Sequence, residues 1–211
     1  MFRLGLAVAF ALLTVIATFV PVTLPFISGH LPVGDGIRLV WQGPSFYLGL
    51  GIWSVQIEAM LLAPLVLGLR LGTLSQLVYL GVGLSGWPVF YQGGGSEVWA
   101  GPTAGYIMGV VPACLVCGLL AERRPAGWLQ HLQGAVAGLI FLHVCGFVLA
   151  FSRLTGTTWS AALSTLVLWP LQGHLLLLVP LTAVTAVIAR FRPRLSVSGR
   201  PAPPLEPGLG R

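Results

Sequence analysis

The sequence predicts an all-α integral membrane protein of six transmembrane helices, and three observations carry that prediction. Of 211 residues, 56% are hydrophobic and only 8% charged, with a mean hydropathy of +0.91, whereas soluble domains carry about 25% charged residues. The apolar residues fall into runs near the ~20 residues a helix needs to cross the hydrocarbon core, and the length holds roughly six of them with no room for a separate soluble domain. The formal charge of +6 comes from eleven arginines, with no lysine, scattered at the ends of those runs. That placement fits anchoring beside a membrane, and no basic stripe interleaved with aromatics points to nucleic acid.

The first helix is predicted from Leu4 to Phe26, with Pro21 and Pro25 near its far end, where they kink or finish it. Arg3 before an apolar stretch imitates a signal peptide, but no small-residue cleavage site closes it, and the segment reads as a retained span. Ala7 and Ala11 share one side of this helix, with Gly5 and Ala9 offset by two. Small residues at that spacing let another helix approach closely, either one of the chain's own or a partner's. From Ile27 to Gly51 the composition turns to Gly, Pro and Ser, with Asp35, Arg38, Trp41, Phe46 and Tyr47. This reads as a long extracytoplasmic loop with aromatic anchors at the headgroups.

Further helices are predicted from Ile52 to Leu69, Thr73 to Leu84, Thr103 to Ala121, Trp128 to Phe151 and Ala161 to Ala189, the last interrupted by Pro170, Gly173 and Pro180. Residues 1–192 thus make one membrane domain. The Pro-, Gly- and Arg-rich tail, 193–211, is expected to be disordered because it cannot pack a core. Basic residues near helix ends stay in the cytoplasm. With both termini inside, nine arginines lie inside and only Arg38 and Arg153 outside. The loop from Ile27 and the stretch between the third and fourth helices then share the external face.

That second stretch, WPVFYQGGGSEVWAGPTAGY from Trp87 to Tyr106, joins Gly93, Gly94 and Gly95 to Pro88 and Pro102. The glycines weaken a helix and the prolines remove backbone donors. Irregular backbone in a membrane protein is tolerated where it lies in the interface, is covered by protein or lines a cavity. The stretch is therefore expected to cover or line a ligand site.

Polar groups inside a membrane are costly, so each is a functional candidate. Glu58 is the one acid in or beside a predicted span. It reads either as a wet helix-end carboxylate paired with Arg38 or Arg153, or as an acceptor or proton-linked group at a site. Gln56 can donate to and accept from a polar ligand, or simply start a helix. His174, beside Gly173, reads as an interhelical hydrogen bond or as a ligand contact. His131 reads as interfacial. His143 and Cys145 point apart on one helix, and Cys114 and Cys117 lack the second pair that zinc needs, so no metal site is expected. Three cysteines in apolar runs argue against disulfides and for core packing. No phosphate-binding Gly-Lys-Ser/Thr loop, His-Glu-x-x-His or Gly-x-Ser-x-Gly occurs. The chain is expected to be no enzyme, to need no cofactor and to draw any energy for transport from elsewhere.

Leu84-Ser85-Gly86-Trp87-Pro88-Val89-Phe90, the Gly93 to Gly95 run and Gly101-Pro102-Thr103-Ala104-Gly105-Tyr106 resemble the BioY family, the biotin-binding S components of energy-coupling-factor (ECF) transporters. The family pattern is Gly-x-Pro-Val-Phe, a glycine run, then Gly-Pro-Thr-Gly-Gly-Tyr, from which only Ala104 departs in the last motif. A weaker match runs from Gln56 through Leu67-Gly68 to Tyr79-Leu80. The resemblance implies a six-helix, S-component-like bundle in the lipid of a bacterial inner membrane. It would capture biotin or a related vitamin from outside and rely on an ECF transmembrane coupling subunit and ATPase subunits. It also implies that Ala7 and Ala11 pack on the coupling subunit. Ligand contacts are then expected from Trp87, Phe90 and Tyr106 on the apolar side and from Gln56, Thr103, Tyr106 and His174 on the polar side, with Gln92 in the covering loop. One departure stands out. Where the family carries Pro-Gly-Asp-x-x-Lys in the last helix, this chain has Gln172-Gly173-His174-Leu175-Leu176-Leu177, so histidine replaces the acid and leucine the lysine. Either Arg153, Arg38 or glycine-rich backbone amides substitute for that lysine opposite a ligand carboxylate, or the ligand differs.

Two other classes stay open on the sequence: a self-sufficient ion-coupled carrier using Glu58 and His174, and a non-transporting membrane scaffold.

Overall fold

A computed structural model describes residues 2–28, 37–39, 46–90, 93–101, 103–122, 127–153 and 163–191. Among the described residues, six α-helices carry the fold: α1 (Phe2–Thr18), α2 (Gln56–Leu67), α3 (Leu69–Leu84), α4 (Ala104–Ala121), α5 (Trp128–Arg153) and α6 (Trp169–Phe191). Of these, α4, α5 and the run Leu166–Ile188, which begins just before α6 and continues into it, are long and apolar enough to cross a membrane, while α1, α2 and α3 are shorter apolar helices. Their outer faces are as greasy as the inner ones, with Ile16, Met108, Leu119, Val148 and Val184 all more than half exposed. A helix that is apolar all round is suited to a nonaqueous surround.

The expectation of an all-α chain needs correction. α1 stops at Thr18, and the prolines placed near its end lie instead in a strand, β1 (Pro21–Ser28). With β2 (Ile37–Leu39) and β3 (Phe46–Ser54) it forms an antiparallel sheet in the order β1-β3-β2, with Pro21 opposite Ser54 and Ser28 opposite Tyr47. Proline is tolerated on an edge strand where its missing N–H faces away from the ladder. Pro21 and Pro25 have the same parity as Ile27, whose N–H points off the sheet to Gln172 Oε1 at 3.0 Å. Residues 27–28, 37–39 and 46–51 of the expected loop therefore lie in strands. The expected tail 193–211 lies outside the described residues, as does Gln92.

Inside the bundle, small residues set the spacing. Gly134, Gly138 and Gly146 of α5 each face α4 so closely that an added Cβ would lie within 3 Å of Cys117, Ala113 and Tyr106 respectively. Ala7 and Ala11 behave likewise on α1. Both are buried, Ala7 completely, in the packing of the chain's own helices. The face expected to meet a coupling subunit is therefore already occupied, and it is Gly5 and Ala9 that are exposed. Cys114 and Cys117 are buried core residues, as expected. Cys114 also serves the backbone. Pro64 cannot donate to the carbonyl one turn back, that of Met60, and Cys114 Sγ donates to it at 3.6 Å. At the far end, Glu122 Oε1 accepts the Leu69 N–H at 2.7 Å, filling one of the orphan donors that start α3.

Candidate functional site

A cavity of about 610 Å³ is lined by the C-terminal halves of α1, α3 and α5 and the N-terminal halves of α2, α4 and α6. Because the contributing ends alternate along the chain, successive helices run in opposite directions and the cavity sits at one end of the bundle. The stretches between α1 and α2 and between α3 and α4 also contribute, through Trp53 and through Phe90 and Val98.

The aromatic wall is built by the sheet. Along β3, Trp53 and Gly51 are buried while Leu50 and Ile52 are exposed, the alternation that the strand pleat imposes. Trp53 meets Phe26 of β1 and Trp169 of α6 edge to face, with ring centroids 6.3 and 6.4 Å away. Its indole N–H donates to the carbonyl of Pro170 at 3.2 Å. Gly173 is what lets α6 come so close, since a Cβ there would stand 2.4 Å from the indole. Gln172 completes the junction with a paired contact, accepting from Ile27 N and donating to Ile27 O, both at 3.0 Å. It thereby bonds the free edge of β1 as another strand would.

The stretch between α3 and α4 folds as the glycines require. Gly86, Gly93 and Gly95 have φ of 106°, 111° and 85°, the left-handed region that glycine enters without strain. Phe90 and Gly93 pair across a tight bridge, and Phe90 turns inward against Tyr79, ring centroids 5.3 Å apart. A turn of 3₁₀ helix, Ser96–Ala100, leads into α4. Arg153 of α5 donates to the carbonyls of Trp99 and Gly101, the latter at 3.1 Å. Its guanidinium holds this stretch in place, which corrects its expected role beside a ligand carboxylate. The side chain of Arg38 lies outside the described residues.

Tyr106, near the start of α4, donates its hydroxyl to the carbonyl of Leu166. Leu166 lies in a single π-helical turn, Ser164–Leu168, just before α6. Its carbonyl is the one that an α-helical Pro170 would have to bond and cannot, lacking an N–H.

The polar wall crosses four helices. His174 Nδ1 lies 2.8 Å from Glu58 Oε1, and both residues are 5% exposed. Among the described residues, Glu58 is thus paired with His174. Behind His174 stands the His143 ring, centroids 5.9 Å apart, and beyond it the ring of Tyr106 at 5.5 Å from His143. His143 Nδ1 must carry its hydrogen, because it faces the carbonyl of Leu139 at 3.0 Å. Glu58 Oε2 and His143 Nε2 are buried without a partner among the described residues. On the next wall, Gln56 Nε2 donates to Tyr79 Oη at 2.7 Å, and Gln76 Nε2 donates to Thr14 Oγ1 at 3.2 Å.

Of the residues singled out from sequence, Gln56, Phe90, Thr103, Tyr106 and His174 line this one cavity. Trp87 does not, and is 66% exposed. Sequence reasoning missed Trp53, Trp169, Thr14, Thr18 and Tyr79. The available signal for the first was the alternation of glycine and bulky residues in Phe46-Tyr47-Leu48-Gly49-Leu50-Gly51-Ile52-Trp53, a strand pattern.

The model of the BioY family matches residues 45–194. A relative from Lysinibacillus sphaericus is 34% identical over 135 residues, 64% of this chain and 57% of its own length. The protein described as biotin transporter BioY from Thermotoga maritima is 39% identical over 109 residues, 51% of this chain and 64% of its own length. The matched segments thus span less than two thirds of either relative. In fold, the chain is similar to the crystal structure of the S-component for biotin from an ECF-type ABC transporter, with a TM-score of 0.66 over 89% of this chain and 90% of that one, at 17% identity.

Proposed function

The chain belongs to the BioY family, and on that premise we propose that it is the biotin-binding membrane component of an uptake transporter, a carrier part and not an enzyme. The observation that carries the reading is the cavity. At about 610 Å³ it lies within the range of roughly 300 to 1,000 Å³ usual for small-molecule sites, and it has their chemistry, mostly apolar with a few placed polar groups. Trp53, Phe90, Tyr106 and Trp169 offer faces for a bicyclic ring and an alkyl chain, while Gln56, Thr103 and His174 offer polar contacts. Trp87 belongs to the stretch beside the mouth, and a contact from Gln92, outside the described residues, stays part of the proposal.

All six helices are read as spans, the shorter α1 and α3 because their outward residues Leu12, Ile16 and Leu77 are apolar and exposed. The arginine bias sets both termini in the cytoplasm and opens the cavity to the outside of a bacterial inner membrane. With no nucleotide site of its own, the chain depends on an ECF coupling subunit and ATPases. The surface of α1 that remains for such a subunit carries Gly5, Ala9 and Leu12.

Uptake of labelled biotin by cells expressing this chain tests the proposal. Uptake that requires the coupling subunit and ATPases is the expected result. One observation, the buried Glu58–His174 pair, favours a second reading as an ion-coupled carrier. Uptake that persists without the ATPases but collapses with a protonophore would establish that reading instead.

A further inference from the structure

The hydrogen-bonding groups around the cavity are unevenly matched. Thr14 and Thr18 donate to the carbonyls of Phe10 and Thr14, Trp53 to Pro170, and Tyr106 to Leu166. Gln56 Nε2 donates to Tyr79. What remains on the wall between α2 and α6 is of the other kind. Neither His174 Nε2 nor Gln56 Oε1 has a protein partner among the described residues, and both residues line the cavity.

Which nitrogen of a histidine holds the hydrogen is set by what its other nitrogen bonds. An ionised carboxylate can only accept. Glu58 Oε1, 2.8 Å from His174 Nδ1, accepts a hydrogen carried on Nδ1, and in the neutral ring the lone pair is then on Nε2. We propose that Glu58 is a positioning residue which, through His174, fixes this wall as a hydrogen-bond acceptor, so that the site selects a cyclic urea by its N–H groups. The inference rests on the biotin reading above and deepens it. It accounts for the absence of a lysine at Leu177. Arg153 is committed to backbone carbonyls, and no arginine or lysine lines the cavity among the described residues. Selection at this wall therefore falls on the urea and not on the carboxylate.

The test measures affinities of the purified full chain for biotin and for the two singly N-methylated biotins. The variants are wild type, His174→Phe, Glu58→Gln and the double variant, with thermal unfolding run alongside each. Phe keeps the ring and removes both nitrogens. Gln keeps the shape of Glu58 but can donate as well as accept, which frees the tautomer. Losing one acceptor from a buried pairing is expected to weaken biotin about tenfold in His174→Phe, with a smaller loss in Glu58→Gln. The N-methyl analogue that lacks the hydrogen facing His174 should lose little in either variant. The double variant should match His174→Phe within about twofold, because Glu58 has nothing left to act through. Losses that are equal for all ligands, or that multiply in the double variant, would overturn the proposal and leave Glu58 a folding residue. A wild-type chain that binds no biotin would instead sink the biotin reading on which the inference rests.

Discussion

The hydroxyl of Tyr106 donates to the carbonyl of Leu166, four residues before Pro170, which has no N–H to offer it. A proline inside a helix frees a carbonyl, and in a membrane that carbonyl needs another donor. Here the donor comes from a residue that also lines the cavity, so one bond joins the start of α4 to the entry of α6. Cys114 meets the Met60 carbonyl in the same relation to Pro64.

Tyr106→Phe should therefore lower stability by about 1 kcal/mol and weaken ligand binding severalfold, since it leaves a carbonyl unmatched. Pro170→Ala in the same chain should recover part of the stability by returning an N–H to Leu166. Thermal unfolding of the two variants and their combination, with and without ligand, checks both.

Gly173→Ala should weaken binding while changing expression little. Its Cβ would stand 2.4 Å from the Trp53 indole, and the ring must shift within the cavity wall. Gly81→Ala, with nothing within 4 Å, is the neutral control. Equal affinities in the two variants would show that Trp53 does not shape the site.

Gln172→Leu removes both bonds to Ile27 and releases the free edge of β1 from α6. Hydrogen exchange at the Ile27 amide should speed up, and ligand dissociation should speed up with it if the sheet holds the cavity closed. Exchange measured by mass spectrometry on peptides covering β1 reads the first effect, and stopped-flow release reads the second.

Ligand-induced quenching of tryptophan fluorescence should come from Trp53 and Trp169, which line the cavity, and not from Trp87, which is exposed. Single Trp→Phe replacements followed by titration with biotin separate them. A signal lost with Trp87→Phe and kept in the other two would place the ligand under the outer loop instead.

The helical part of the fold was legible because its signal is redundant. Apolar runs bounded by arginines located α4 and α5 to within two residues and α3 at its end only, since α3 begins at Leu69, four residues before the expected Thr73, and the glycine-proline stretch was kept out of the helices. The sheet was not legible for a local reason. Pro21 and Pro25 suit the stop of a helix, but the same residues suit an edge strand, and only the pairing of β1 with the distant β3 decides between the two. Phe90, Tyr106 and His174 could be placed near one another from motif and position. The Glu58–His174 pairing could not, because the residues lie 116 positions apart and two arginines were equally suitable partners on charge alone. The inward turn of Ala7 and Ala11 was also hidden, since small residues at that spacing serve a chain's own packing and a partner's alike.

The most direct measurement is to purify the full chain from cells supplied with biotin, identify the small molecules that elute with it by mass spectrometry, and titrate the emptied protein with biotin. Stoichiometric biotin in the eluate, and saturable binding that Tyr106→Phe and His174→Phe both weaken, are the expected results. An unrelated compound in the cavity, or biotin binding untouched by both substitutions, would contradict the assignment of this cavity as a biotin site.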